Sequence, residues 1–242
     1  AGRAWFVIGV FSGNGATELR HAIRQSWFRW GELEAPVGEA CACFVLSRRG
    51  AHHSKLQKAE LEAQRHGDVV WLGNATEGCS GVSFSKLQEW WRWASELPAV
   101  VTHVAKTEDD TFLHLPNLLA DLRAWQESKH LFYGLHAWSG LGKDGGVCNF
   151  DWKHPRDGCE HRPALFAVGP LELLSVDLAA RIARDPEISA FMAHASAHGN
   201  GGRSEEDVVL GALVAHVRTR KPAVEVTFVS LRMAVQFLDF DC

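Results

Sequence analysis

Three consecutive acids, Glu108-Asp109-Asp110, stand between an apolar run, Val100 to Ala105, and the apolar pair Phe112 and Leu113. Carboxylates crowded this way repel one another, and partial burial raises the cost unless a cation or a hydrogen-bond network shares the charge. Hard divalent ions such as magnesium, manganese or calcium take oxygen ligands, and short acidic side chains at a strand end can aim several at one point. The same residues also fit a polar strand-to-helix turn in which Asp110 or Thr111 caps the next helix. A second acid, Asp207, closes Ser204-Glu205-Glu206-Asp207 ahead of an apolar stretch, and Ser204-x-x-Asp207 has the spacing of a capping box. Arg20 and Arg24 are four residues apart on a predicted helix, so both guanidinium groups project from one side. Either an anion lies between them, or they are solvated or paired with nearby acids. His194 and His198 have zinc-binding spacing but lack a third ligand and a Glu inside the pair.

These residues need elements to hold them. Ala4 to Phe11 reads as a central strand ended by Ser12-Gly13-Asn14-Gly15, and the following helix places Leu19, Ile23, Trp27 and Trp30 on one apolar face. Cys41 to Leu46 is a second strand, and Ser54 to His66 a helix opened by a Ser54-x-x-Gln57 box and closed by Gly67. Asp68 to Leu72 is a third strand, and a Trp-rich helix follows with Phe84, Leu87, Trp91 and Ala94 as its stripe. The fourth strand carries the acidic triplet, and Pro116 then opens a helix with Leu118, Leu119, Leu122 and Trp125 inward. Further strands are expected over Leu131 to Trp138, Ala164 to Val168 and Ala223 to Ser230, with helices near Ser175 to Arg184 and Val208 to Val217. Gly140 to Arg162 has no period and exceeds the usual connection length. The alternation predicts an α/β fold, one domain over 1–242 around a mostly parallel, doubly wound sheet. Ligands of such sheets bind beyond the carboxyl ends of the strands, where Glu108 to Asp110 falls.

Composition narrows the field. With 242 residues and 46% apolar content the chain can bury a full core. Its net charge of -4 gives no footprint for nucleic acid, so an anionic ligand must be met locally. No run of 18 apolar residues could span a bilayer. The first residue is Ala1 rather than Met, as in a chain trimmed of a preceding segment. Six cysteines allow three disulfides or none, and Cys41-Ala42-Cys43 has the wrong spacing for a zinc knuckle. Asn74-Ala75-Thr76 is an N-glycosylation sequon, expected on a Gly-flanked turn, and it matters only in a secretory lumen.

Four segments, in this order, resemble glycosyltransferase family 31, the inverting β-1,3-galactosyl and β-1,3-N-acetylglucosaminyl transferases with their fringe branch. Arg20 to Trp27 (RHAIRQSW) is similar to the family's R-x-x-I-R-x-T-W, and Ser83-Phe84-Ser85-Lys86 to its N-L-T-x-K. Lys106 to Phe112 (KTEDDTF) is similar to K-x-D-D-D-x-F, and Glu206 to Gly211 (EDVVLG) to E-D-V-x-x-G. The resemblance implies a glycosyltransferase A-type fold and a UDP-sugar donor, with a manganese cofactor or magnesium in its place. It also implies a saccharide or glycoprotein acceptor, a Golgi-lumenal location and attachment to the membrane through an N-terminal anchor outside this chain. Carried over residue by residue, it makes Asp110 the metal ligand and Asp207 the catalytic base. Asp109 and Glu108, with Arg20, Arg24 and Lys86, fall to the donor, and Trp152 and Glu206 to the acceptor region. Galactose is favoured over N-acetylglucosamine by analogy alone.

Three departures stand out. Glu108 replaces the first Asp of the triplet, Pro163 to Pro170 replaces a glycine-rich segment, and no His follows His216 as a second metal ligand. One carboxylate, the diphosphate and water are then left to hold the metal. The competing readings are a non-catalytic relative that binds glycan or protein partners, and a metal-dependent phosphoryl-group enzyme for which no P-loop is present.

Overall fold

The computed structural model describes residues 4–33, 38–77, 84–141, 147–148, 164–198, 206–220, 222–231 and 237–239. The chain opens with β1 (Phe6–Phe11), α1 (Thr17–Gln25), β2 (Ala40–Arg49), α2 (His53–His66), β3 (Val69–Thr76) and α3 (Phe84–Ala94). The acidic segment follows in β4 (His103–Glu108), β5 (Thr111–Leu113) and α4 (Leu115–Leu122). Then come β6 (Leu131–Leu141), β7 (Val147–Cys148), β8 (Ala164–Ser175), α5 (Val176–Arg184) and α6 (Pro186–His198). Last are α7 (Glu206–Thr219), β9 (Thr227–Ser230) and β10 (Phe237–Asp239).

All six residues of β1 are buried because each of its faces has a core. Val7 and Phe11 join one cluster with Trp90 and Trp91 of α3, Ile182 of α5 and Leu210 of α7. Phe6, Ile8 and Val10 join another with Ile23, Trp27 and the α4 leucines. That period-two split, with helices on both sides, makes the sheet doubly wound. Gly9 lets Trp90 lie flat on β1, since a Cβ there would stand 2.5 Å from the indole ring.

The sheet runs β3-β2-β1-β4-β8-β6-β7, with β9 also paired to β6. β1, β2, β3 and β4 are mutually parallel, β8 is antiparallel to both β4 and β6, and β9 is parallel to β6. The expected mostly parallel α/β sheet is therefore present, with one long antiparallel strand set into its middle.

Several boundaries differ from expectation for local reasons. α1 stops at Gln25, and Trp27 lies in a separate 3-10 turn, Trp27–Arg29, with Trp30 beyond it. Leu19 is 41% exposed, so the apolar spacing across that stretch reports two elements rather than one helix face. The Ser54 box does not form: α2 starts at His53, and Ser54 Oγ pairs with His52 Nδ1 at 3.0 Å. Gly67 does close α2, in the left-handed region at φ 69°. β4 starts three residues later than the apolar run and takes in Lys106, Thr107 and Glu108. β8 extends to Ser175, through the charged Glu172. Asn74 is exposed near the end of β3, not on a turn.

Candidate active site

The acids of the triplet leave the sheet by a tight route. Glu108 ends β4, Asp109 and Asp110 form a turn, and Thr111 begins β5. Neither Asp110 nor Thr111 caps α4; His114 does, its Nδ1 accepting from the Asn117 N–H at 3.3 Å. The turn is braced from behind, where Trp27 Nε1 donates to the Thr111 carbonyl at 3.3 Å and Thr107 Oγ1 to the Pro170 carbonyl at 2.6 Å.

Within that braced turn, Asp109 Oδ2 and Asp110 Oδ1 are both buried and have no hydrogen-bond partner. Burial raises the Asp109 carboxyl above its ordinary range, and the neighbouring Asp110 charge adds to this against the pull of Ser12, Arg20 and Lys86. Buried carboxylate oxygens on adjacent residues, left without a donor, cost free energy that a hard cation would recover. No group of three or more His, Cys, Asp or Glu able to hold a metal is present among the described residues. The donor set fits a cation held by one or two carboxylates, with its other positions open to phosphate and water.

The loop after β1 lies against this turn. Arg20 is buried and every N–H of its guanidinium is used: Nε and Nη2 donate to Glu62 at 2.9 and 2.7 Å, Nη1 to Ser12 Oγ and the Gly13 carbonyl at 2.8 and 2.6 Å, and Nη2 to Thr17 Oγ1 at 3.3 Å. Arg24 chelates Asp68 through Nε and Nη2 and also reaches Glu62. The two arginines thus share acids of the α2–β3 segment. Arg24 borders a surface cleft of about 410 Å³ between α1 and α2 that none of the triplet lines. Lys86 is buried too, its Nζ donating to the Ser12 carbonyl at 2.8 Å and standing 3.7 Å from Glu77. Burial pulls its amine down to about 8, Glu77 and Asp109 opposing.

On the other side of β4, one ammonium gathers three carboxylates. Lys106 Nζ is 3.1 Å from Glu108 Oε1, 3.1 Å from Glu172 Oε1 on β8 and 2.8 Å from Glu206 Oε1 at the start of α7. Burial pushes Glu172 up to about 8 and Glu108 up to about 7, Lys106 opposing in both cases. Glu108 and Glu206 also bond each other, which raises Glu108 and, with Lys106, lowers Glu206. Asp207 follows Glu206 in the first turn of α7, where its Oδ1 accepts from the Val208 N–H at 2.7 Å. Its charge is close enough to Glu172 to help raise that group.

Comparison with known proteins decides what this arrangement belongs to. The galactosyltransferase family model matches residues 18–221, most of the chain. This chain belongs to the galactosyltransferase family. Mouse beta-1,3-galactosyltransferase 6 is 27% identical over 146 residues, covering 60% of this chain and 44% of that protein. Beta-1,3-galactosyltransferase GALT1 of Arabidopsis thaliana is 29% identical over 136 residues, 53% of this chain and 19% of that protein. The matches therefore span less than half the length of these relatives. Among solved structures, mouse xyloside xylosyltransferase 1 in its apo form aligns over 94% of this chain and 84% of its own at TM-score 0.42 and 9% identity. The 4-diphosphocytidyl-2C-methyl-D-erythritol synthase of Anaerococcus prevotii aligns over 92% and 86% at TM-score 0.40 and 13% identity. The mostly parallel, doubly wound α/β sheet is the one the sequence led us to expect.

The galactosyltransferase motifs acquire physical reasons here. The glycine ending E-D-V-x-x-G is Gly211, where a Cβ would fall 2.5 Å from the Leu165 carbonyl oxygen and 2.5 Å from Phe166 Cβ; only a glycine lets α7 sit on β8 this closely. The arginine pair Arg20 and Arg24 of the first motif binds protein acids, and Arg20 fixes the Ser12–Gly13 loop. Glu108, expected at the donor, is turned to Lys106 and Glu206, and Glu206, expected at the acceptor, is turned to Lys106. Trp152 and Ser204 lie outside the described residues. So do the His194 and His198 side chains, although α6 carries both positions. Cys41 and Cys43 are free thiols on β2, and the other four cysteine side chains are outside the described set. Among the described residues no helix is long and apolar enough to cross a membrane.

Sequence reasoning missed Glu172, Glu62 and Glu77. Glu172 carried a signal, a single charge inside Leu171-Glu172-Leu173-Leu174. A lone charge in an apolar strand requires a buried partner.

Proposed function

We propose that this chain is the catalytic domain of an inverting, metal-dependent β-1,3-glycosyltransferase that moves a sugar, galactose in the first instance, from a UDP-sugar to a saccharide or glycoprotein acceptor. The observation that carries the reading is the approach of two acidic segments, Glu108–Asp110 and Glu206–Asp207, to one buried ammonium, with unpartnered carboxylate oxygens in the first. In this reading Asp110, with Asp109 beside it, would hold manganese or magnesium at the donor. When bound, that ion neutralises the charge developing on the departing UDP.

The chain's own residues do the rest. Asp207 accepts the proton of the acceptor hydroxyl as its oxygen bonds to the anomeric carbon and the bond from that carbon to the UDP oxygen breaks. Attack from the face opposite UDP inverts the centre. A carboxylate in this role supplies about 10²- to 10⁴-fold in rate. Arg20 and Lys86 hold the Ser12–Gly13 loop from below, which sets the wall of the donor site beside Asp109. In this reading, which the likeness to beta-1,3-galactosyltransferases supports, the domain works in the Golgi lumen as part of a type II membrane protein, and the exposed Asn74 is a glycosylation site.

The test is metal-dependent UDP release. With manganese, a panel of UDP-sugars and saccharide acceptors, wild-type protein should release UDP faster with acceptor present. Asp207→Asn should lower kcat by about 10²-fold or more with donor affinity retained. Stabilisation by UDP and manganese without turnover on any donor would instead mark a binding protein.

A further inference from the structure

The base and the metal-binding turn come from segments about a hundred residues apart, and the chemistry needs them in register. We propose that Lys106 is the positioning residue that sets this register: its ammonium clamps the first turn of α7, and so the direction of Asp207, to the strand end that carries the acidic triplet. The inference rests on the assignment of Asp207 as base given above.

The three N–H bonds of Lys106 are spent on three carboxylates from three elements, β4, β8 and α7. Both Lys106 and Glu172 are 0% exposed, so neither has water as a substitute partner. Two of the contacted residues, Glu108 and Glu206, immediately precede Asp109 and Asp207, so one ammonium ties the strand end leading into the acidic turn to the start of the helix that carries the base. On a helix, neighbouring side chains differ by about 100° around the axis, so pinning the Glu206 carboxylate fixes where Asp207 points. Gly211, five residues on, seats the same helix on the Leu165 carbonyl. The two contacts together define both the height and the rotation of α7.

Stability alone does not account for this cluster. Buried ion pairs recover little more than their desolvation penalty, and apolar residues of the same volume are often as stable or more so. The cluster sits where the strand end bearing the triplet meets the first turn of α7. The arrangement makes sense as a spatial constraint. A displacement of about 1 Å in a reacting group costs about 10²-fold in rate, which gives the clamp its consequence.

The experiment compares Lys106→Met and Glu206→Gln with wild type, each alone and combined with Asp207→Asn. Glu206→Gln removes the charge that the Lys106 ammonium grips and leaves no cavity at a partly exposed position, so it serves if Lys106→Met does not fold. Either substitution should lower kcat by about 10²-fold with donor KM within about threefold of wild type, and should cost nothing further once Asp207 is Asn. Amide exchange at Leu210 and Gly211, which bond back to the carbonyls of Glu206 and Asp207, should speed up by at least about tenfold while β4 is unchanged. An equal loss of turnover in the Asp207→Asn background, or unchanged exchange at those amides, overturns the proposal. If wild-type protein releases UDP from no donor, the proposed function falls, and the exchange comparison still decides the clamp.

Discussion

Replacing Glu62 with Gln should weaken the protein in a pH-dependent way that the geometry specifies. Glu62 takes two hydrogen bonds from the buried Arg20, at 2.9 and 2.7 Å, and another from Arg24. Burial alone would raise its carboxyl, but the two guanidinium groups outweigh burial and hold it down to about 2, against an ordinary value of 4.5. That difference is worth about 3 kcal/mol at neutral pH, and partial solvation of the Arg24 side reduces it to about 2. Breaking a buried pair outright costs about 3 to 5 kcal/mol, and a Gln that keeps one acceptor falls toward the low end of that range. Both routes converge on about 2 to 3 kcal/mol at pH 7, which in a domain of this size lowers Tm by about 6 °C. Because the folded-state value is depressed, the stabilisation is complete above about pH 4.5 and is lost as pH falls toward 2. Urea unfolding of both proteins at pH 7, 5, 4 and 3 should show the gap closing across the last two points. A gap below about 0.5 kcal/mol at pH 7, or one unchanged at pH 3, refutes the claim that Glu62 is the charged centre anchoring Arg20 beneath the Ser12–Gly13 loop.

Two further outcomes follow from packing and burial. Gly211→Ala places a methyl 2.5 Å from the Leu165 carbonyl oxygen, so it should destabilise by about 1 to 3 kcal/mol in urea unfolding and lower kcat by lifting α7 and Asp207. Lys86 keeps its proton in the unfolded chain to about 10.5 but releases it at about 8 when folded, so stability should rise between those pH values. Lys86→Met should lack that rise when unfolding is followed by near-ultraviolet circular dichroism from pH 7.5 to 10.

How much of this was legible depended on whether the deciding partner was near in sequence. β1 and the acidic turn were readable because an apolar, β-branched run ending in turn residues or charges says strand and strand end without help from anywhere else. The α1 boundary was not, because Trp27 at helical spacing from Ile23 is buried by contacts with Phe28 and Thr111 outside that helix. Spacing records only that both residues are inside. The direction of β8 was also hidden: alternation gives the face a residue occupies and says nothing of which way the strand runs. The arginine pair was readable as a pair, but its partners, Glu62 and Asp68, lie 38 to 44 positions away.

The Lys106 cluster shows what would have closed part of that gap. Lys106 and Glu172 are both fully buried, Glu172 inside an apolar stretch of β8, and each would be untenable there alone. Two such defects of opposite sign in one chain can be buried together only if their strands are neighbours and the residues face one another. They are directly opposite in the β4–β8 ladder. A slip of one residue would turn Lys106 against Leu173 on the opposite face and strand both charges in the apolar core. The polar pair therefore selects both the neighbour and the register of β8, including its place between β4 and β6, where the alternation of strands and helices gave no instruction. A charge that looks like an error within its own strand is, read against an opposite one elsewhere, a constraint on how the sheet is assembled.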